Sequence, residues 1–225
     1  MDAFKKAVII VSGGTGTRMQ LDIPKQYLQV LGKPVIVHSI EKFLDYDPDM
    51  SLILVLGKDH TQYWNPIRER YFSEQAFLIA EGGNTRFDSV RNGLELVKET
   101  CVLGIHDAVR PMVSHETIHR CYTVALETGS AIPVVEIEDT IRSIETNDCL
   151  KPERSILRRV QTPQVFLSNN IKKAYKNAYE GRIYTDDAAV YEELFGTINL
   201  VEGNPENIKI TRGIDLKIAK ALLGD

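Results

Sequence analysis

Cysteine is sparse: Cys101, Cys121 and Cys149 are the three thiols in 225 residues. They are odd in number and far apart. That excludes a Cys-x-x-Cys metal spacing and an even disulfide framework, and it fits reduced thiols in a cytoplasmic protein. No apolar run approaches the ~20 residues that a membrane helix needs, so no membrane association is expected. The first apolar stretch, residues 7–11, is too short for a secretory core and runs straight into glycines. Positive charge is not in excess: 27 Lys and Arg stand against 31 Asp and Glu, a net charge of −4. The basic footprint of a nucleic-acid-binding chain is missing, so no nucleic acid partner is expected. There is neither an internal repeat nor a low-complexity tract. With 43% hydrophobic and 26% charged residues, the composition is that of a globular chain. A chain of this length can bury a sizeable core without staples.

What is present is a rhythm. Short β-branched runs at residues 7–11, 52–56, 77–80, 102–105 and 131–135 alternate with helical patterns at 35–44, 61–72, 86–98 and 115–127. Strand, helix, strand at this spacing predicts an α/β fold: a doubly wound, mostly parallel sheet with crossover helices on both faces. The alternation breaks after Val135. Residues 136–163 are polar and charged, with an exposed-strand pattern at 140–144, turn chemistry at Asn147-Asp148 and a second extended piece at 156–160. Such a hairpin cannot bury a core of its own. It is expected as an arm inserted in a single domain, 1–225, lying on the body or reaching a partner subunit. Helices at 169–179, 186–195 and 214–223 and a strand at 208–210 are expected to close the chain.

In an open parallel sheet, ligands sit beyond the carboxyl ends of the strands. Three loops stand at such ends. Ser12-Gly13-Gly14-Thr15-Gly16-Thr17-Arg18-Met19 follows the first strand. Clustered glycines expose N–H groups that can hold phosphate oxygens. Met19 replaces the third glycine of a dinucleotide fingerprint, and the Gly-Lys-Ser/Thr close of a P-loop is missing. Pro24 also interrupts any helix that would start from the loop. Within the first 35 residues five basic side chains face two acidic ones, which favours a small anionic ligand. Arg18 and Lys25 beside a glycine loop suit a triphosphate whose charge shifts during reaction.

Glu81-Gly82-Gly83-Asn84-Thr85-Arg86-Phe87-Asp88-Ser89 follows the third strand. It reads either as a turn capped by Asn84 or Thr85, or as a set of backbone and hydroxyl contacts to a nucleobase. His106-Asp107-Ala108-Val109-Arg110-Pro111 ends the fourth strand. Asp107 reads either as an oxygen ligand for Mg²⁺ or as the partner of Arg110 in a structural pair. His106 points to the opposite face of the strand and is expected to be packed. No Gly-x-Ser-x-Gly elbow supports a hydrolase. Later in the chain come Arg154, Thr162-Pro163-Gln164, Thr185-Asp186-Asp187 with Thr185 as a cap, and Asn207-Ile208-Lys209-Ile210-Thr211.

Together these motifs, with Pro24-Lys25-Gln26-Tyr27 and Asp139-Thr140, resemble the 2-C-methyl-D-erythritol 4-phosphate cytidylyltransferase family of the non-mevalonate isoprenoid pathway. They occur in family order over nearly the whole chain. The resemblance implies a Rossmann-like nucleotidyltransferase body whose extended β-arm embraces a second subunit in a homodimer. It implies attack of a polyol phosphate oxygen on the α-phosphorus of CTP, with loss of pyrophosphate. By resemblance Arg18, Lys25, Arg154 and Lys209 are catalytic. Ser12, Gly13, Gly14, Thr15, Gly16, Gly82, Gly83, Arg86, Ser89, Asp107 and Ala108 bind the nucleotide. Arg110, Thr140, Arg154, Thr162, Thr185 and Lys209 bind the polyol phosphate, Arg154 from the partner subunit, and Asp107 holds Mg²⁺. Ser12 stands where the family often has alanine. The His-Asp-Ala-Val-Arg-Pro form also occurs in ribitol 5-phosphate cytidylyltransferases, so ribitol phosphate is the alternative acceptor. An NAD-dependent oxidoreductase is the remaining reading of the doubly wound pattern.

Overall fold

A computed structural model describes residues 5–14, 23–143, 153–179 and 181–224. The chain opens with β1 (Lys6–Ser12), a 3-10 turn (Lys25–Tyr27), a small hairpin of β2 (Gln29–Val30) and β3 (Lys33–Pro34), and α1 (Val35–Tyr46). Then come β4 (Ser51–Leu56), α2 (Thr61–Tyr71), β5 (Phe77–Glu81), α3 (Arg86–Glu95), β6 (Val102–Asp107), α4 (His115–Thr128) and β7 (Ser130–Glu136). The last part holds β8 (Arg158–Val160), β9 (Gln164–Leu167), α5 (Ser168–Asn177), α6 (Asp187–Phe195), β10 (Leu200–Glu202) and α7 (Gly213–Gly224).

The run Val8-Ile9-Ile10 makes β1 a strand for a doubly covered sheet, and all three side chains are buried. Successive side chains point to opposite faces. Val8 and Ile10 join one core cluster, while Ala7 and Ile9 join the other. The first cluster is roofed by Ile36, Ile40 and Phe43 of α1, Trp64 of α2 and Ile118 of α4. The second is roofed by Val90 of α3, Ile171 and Ala174 of α5 and Val190 of α6. Each such fully buried large side chain contributes about 1.5–3 kcal/mol.

The sheet runs β10-β7-β9-β6-β1-β4-β5, with β8 on β7. From β1 the chain winds outward through β4 to β5, then returns to put β6 on the other side of β1. The order reverses between β1 and β6, so the binding crevice is expected there.

Two expectations for the carboxyl half are corrected. Residues 208–210 form no strand; the Ile210 amide donates to the Val109 carbonyl and its side chain is buried. The β-branched pair there plugs a small core, and the added strand is β10 instead. Residues 140–143 form no strand, and 144–152 lie outside the described residues. The extended piece pairs with the body: Val160 lies opposite Val134 and Arg158 opposite Glu136. Gln164–Leu167, for which the sequence pattern predicts no element, is a strand wedged antiparallel between β6 and β7. Among the described residues no helix is long and apolar enough to cross a membrane.

Candidate active site

Two adjoining cavities open over the carboxyl ends of β1, β4, β5 and β6. The larger measures about 800 Å³. Its lining includes Ser12, Gly13, Gly14, Lys25, Gly82, Gly83, Ser89 and Ala108, so these expected positions do meet. The smaller measures about 290 Å³ and is lined by Arg110, Thr162, Gln164, Thr185 and Asp186. Arg86, Asp107 and Lys209 line both.

The floor of the larger cavity depends on close backbone approach. A Cβ on Gly13 would lie 3.6 Å from the Gly82 Cα, and one on Gly83 would lie 2.2 Å from the Asp88 Cβ. The second contact is impossible, so only glycine serves at Gly83. Asp88 is there because it completes the capping box that Thr85 opens at the start of α3. Ser89 Oγ accepts from the Gly83 N–H at 3.1 Å and donates to the Thr85 carbonyl at 2.9 Å. The serine therefore holds the glycine pair in place.

Across the cavity, Gln26 ties its turn to the first glycine loop. Its Nε2 donates to the carbonyls of Ser12 at 2.8 Å and Gly14 at 3.1 Å. That fixes the backbone next to Lys25, a half-buried side chain facing the same space. His60 covers Gly57 and sits edge-on to Tyr27. Arg18, Thr15 and Gly16 lie outside the described residues.

The common wall is an ionic cluster. Arg86 Nε donates to Asp107 Oδ1 at 3.2 Å. Lys209 Nζ lies 2.9 Å from Asp107 Oδ2, and Arg110 Nε 3.6 Å from the same oxygen. Arg86 also grips the fully buried Asp187 with both terminal nitrogens, at 2.9 and 2.7 Å. Burial alone would raise the Asp107 carboxyl; Arg86, Lys209 and Arg110 outweigh it and hold the group well below the usual carboxylate range. Three cations against two carboxylates leave the wall net positive, which suits phosphate.

Asp107 is the residue that the family resemblance assigns to Mg²⁺. Both carboxylate oxygens already face cations, and a divalent ion placed on them would meet three positive charges. Among the described residues no cluster of three His, Cys, Asp or Glu supplies further ligands. The residues do not fit a protein-held divalent cation at this position. The Asp107–Arg110 pair does exist, as one edge of a larger network.

Behind the wall, His106 is buried with its ring against Phe43. Its Nε2 lies 3.1 Å from the Arg110 carbonyl and its Nδ1 3.0 Å from Thr162 Oγ1. A carbonyl only accepts, so the proton sits on Nε2 and Thr162 donates to Nδ1. Thr162 Oγ1 in turn accepts from the Asp107 amide at 3.2 Å. Burial pushes the His106 imidazole down to about 4, so it is neutral at pH 7.

The chain matches the family model of 2-C-methyl-D-erythritol 4-phosphate cytidylyltransferase over residues 6–225. The protein belongs to that family. It is 45% identical to the enzyme of that name from Bacteroides thetaiotaomicron, over 97% of this chain and 100% of that one. A Porphyromonas gingivalis relative of the same name is 41% identical over 97% of this chain and 98% of its own length. The fold matches the crystal structure of 4-diphosphocytidyl-2C-methyl-D-erythritol synthase from Anaerococcus prevotii with a TM-score of 0.85, at 26% identity over 100% of this chain and 98% of that one.

Two positions expected by family resemblance are not brought to either cavity by this chain. Thr140 is exposed, and Arg154 is exposed with its guanidinium on the Glu138 carbonyl. Thr185 does reach the smaller cavity, but the cap of α6 is Asp186, whose carboxylate accepts from the Ala189 N–H at 3.0 Å. Gln26, Lys58, His60 and Gln164 line the site without having been singled out. Gln26 and Gln164 stand inside quoted motifs, and Lys58 follows the glycine that ends a buried strand. Those were the available signals.

Proposed function

We propose that the larger cavity receives CTP and the smaller one the polyol phosphate, with Arg86, Asp107 and Lys209 as the boundary where the reacting groups meet. The chain is a cytidylyltransferase that moves the cytidylyl group of CTP to 2-C-methyl-D-erythritol 4-phosphate and releases pyrophosphate. The observation that carries the division of the site is the wall shared by both cavities.

The nucleophile is already an anion, so a strong general base is not required. The obstacle is bringing one phosphate up to another. Lys209 stands at the boundary and neutralises charge as the phosphate oxygen attacks the α-phosphorus. Lys25, with Arg18, stabilises the charge that builds on the leaving pyrophosphate. Losing one such preorganised group costs on the order of 10²–10³ in turnover. The glycine pairs at 13–14 and 82–83, with Ser89 and Ala108, frame the nucleoside. Arg110, Thr162 and Thr185 face the polyol phosphate. A divalent cation, Mg²⁺, would be held by the phosphates of CTP and would lower their negative charge.

Arg154 and Thr140 reach the acceptor of a second subunit in a homodimer built on the arm of residues 136–163, within a single domain of residues 1–225. The exposed Ile156 supports this, being 74% accessible on the arm. The enzyme works in the cytoplasm, in keeping with the free buried thiols of Cys101 and Cys121. The ribitol phosphate and NAD readings are not favoured by the family match or the named relatives. A pyrophosphate-release assay with CTP, offering methylerythritol phosphate and ribitol phosphate separately, tests the acceptor. Faster turnover with methylerythritol phosphate is expected; equal or faster release with ribitol phosphate overturns it.

A further inference from the structure

Arg86 stands at the first position of α3, where the helix dipole disfavours a cation. A residue placed against its local preference is there for a tertiary reason. That reason is Asp187, at the first position of α6, where a carboxylate is favoured. Asp187 is fully buried and takes both terminal nitrogens of Arg86, and it also accepts from Tyr175 Oη at 2.6 Å. Tyr175 is itself held by its stack on Phe87, with ring centroids 4.7 Å apart.

The frame behind Asp187 is rigid as well. Gln164 Oε1 accepts from the backbone amides of Asp187 and Ala188, each at 2.9 Å, and its Nε2 donates to Asp186. Gln164 belongs to β9, which pairs with β6, the strand that ends at Asp107. The sheet therefore sets both the carboxylate that anchors Arg86 and the carboxylate that Arg86 reaches through Nε. With its two terminal nitrogens held, Arg86 cannot swing toward a phosphate. It acts as a strut in the wall between the cavities.

We propose that Asp187 is a positioning residue for cytidylyl transfer: it locks Arg86, and the locked Arg86 fixes Asp107 and so Lys209 between the two substrates. The inference rests on the assignment of the two cavities above. Its consequence is specific. Loosening the strut leaves the CTP cavity formed but misplaces the boundary groups. A misplacement of about 1 Å costs on the order of 10²-fold in rate.

The test compares Asp187→Asn, Arg86→Lys and the double variant. Calorimetric titration with CTP counts competent sites and gives the Kd; turnover with methylerythritol phosphate is then expressed per CTP-binding site. Arg86→Lys keeps the charge but cannot reach both carboxylates as a fork does. It alters a partly exposed side chain, so it reports even where Asp187→Asn fails to fold. Expected are unit stoichiometry, a Kd for CTP within about threefold of the parent, kcat per site lower by on the order of 10²-fold, and a double variant no worse than either single one. A variant whose kcat per site is unchanged overturns the proposal, since only folding would then depend on the pair. Weaker CTP binding with kcat retained also overturns it, since Arg86 would then be a nucleotide ligand. A parent protein that binds no CTP overturns both this inference and the cavity assignment.

Discussion

Lys209 Nζ lies 2.9 Å from Asp107 Oδ2, although the two residues stand 102 positions apart in sequence. The lysine is carried there by its neighbours. Ile210 is buried beside Val109 and Val35, and Asn207 Nδ2 donates to the Thr162 carbonyl at 2.8 Å. The ammonium group is thus presented to both cavities from a loop anchored on either side.

Lys25→Ala is expected to lower turnover by about 10²–10³-fold, the loss of one charge-stabilising group. Lys25 is half-buried at the rim of the cavity and is no member of the core. The thermal midpoint should therefore stay within a few degrees of the parent. Pyrophosphate release and thermal denaturation measured on one preparation check this. Near-normal release would remove Lys25 from the mechanism.

Gly83→Ala would put a methyl group 2.2 Å from the Asp88 Cβ. The loop or the first turn of α3 must move, at a cost of about 1–3 kcal/mol. CTP binding is expected to weaken at least tenfold, because the same loop lines the larger cavity, the one proposed for CTP. Denaturant unfolding gives the first number and CTP titration the second.

His106 gives a pH dependence of stability with a definite sign. Its folded value, about 4, lies below the ordinary value of 6.5. The facing charges are Asp107, which opposes the shift, and Arg110. As pH falls below 6.5 the unfolded chain takes up a proton that the native ring refuses. Stability falls from there until pH drops to about 4, by about 3 kcal/mol in all. Urea unfolding of the parent and of His106→Gln at pH 7 and pH 5 isolates the contribution. The variant should lose less stability between the two than the parent; equal losses would show that the imidazole is not held neutral.

Ile156→Asp tests the arm. If the exposed isoleucine packs on a second subunit, sedimentation of the variant should show monomers at concentrations where the parent is dimeric. Turnover should fall with it if, as proposed, Arg154 and Thr140 serve the acceptor site of a second subunit. A variant that stays dimeric with full activity would remove the arm from the assembly.

Much of this was legible in the chain itself. The buried β-branched runs of β1 and β4 and the amphipathic patterns between them require strands and crossover helices. The glycine loops and the His-Asp-Ala-Val-Arg-Pro run then fall at strand ends. β9 was not legible, because Gln164-Val165-Phe166-Leu167 is too short to carry a period and its place depends on the edges of β6 and β7. The Ile208–Ile210 stretch misled for the opposite reason: it alternates like a strand, yet among the described residues it joins no sheet, and Ile210 enters a side core.

The linear order of residues determined the doubly wound architecture, because hydrophobic period acts over a few neighbouring positions, and its ordered motifs carried the family resemblance. Folding alone decided what the charged groups do. Asp107 becomes a hub for Arg86, Arg110 and Lys209, and Asp187 becomes the anchor of Arg86, because these groups come from segments far apart in the chain. Charges interact through space and burial, and neither is written in local pattern.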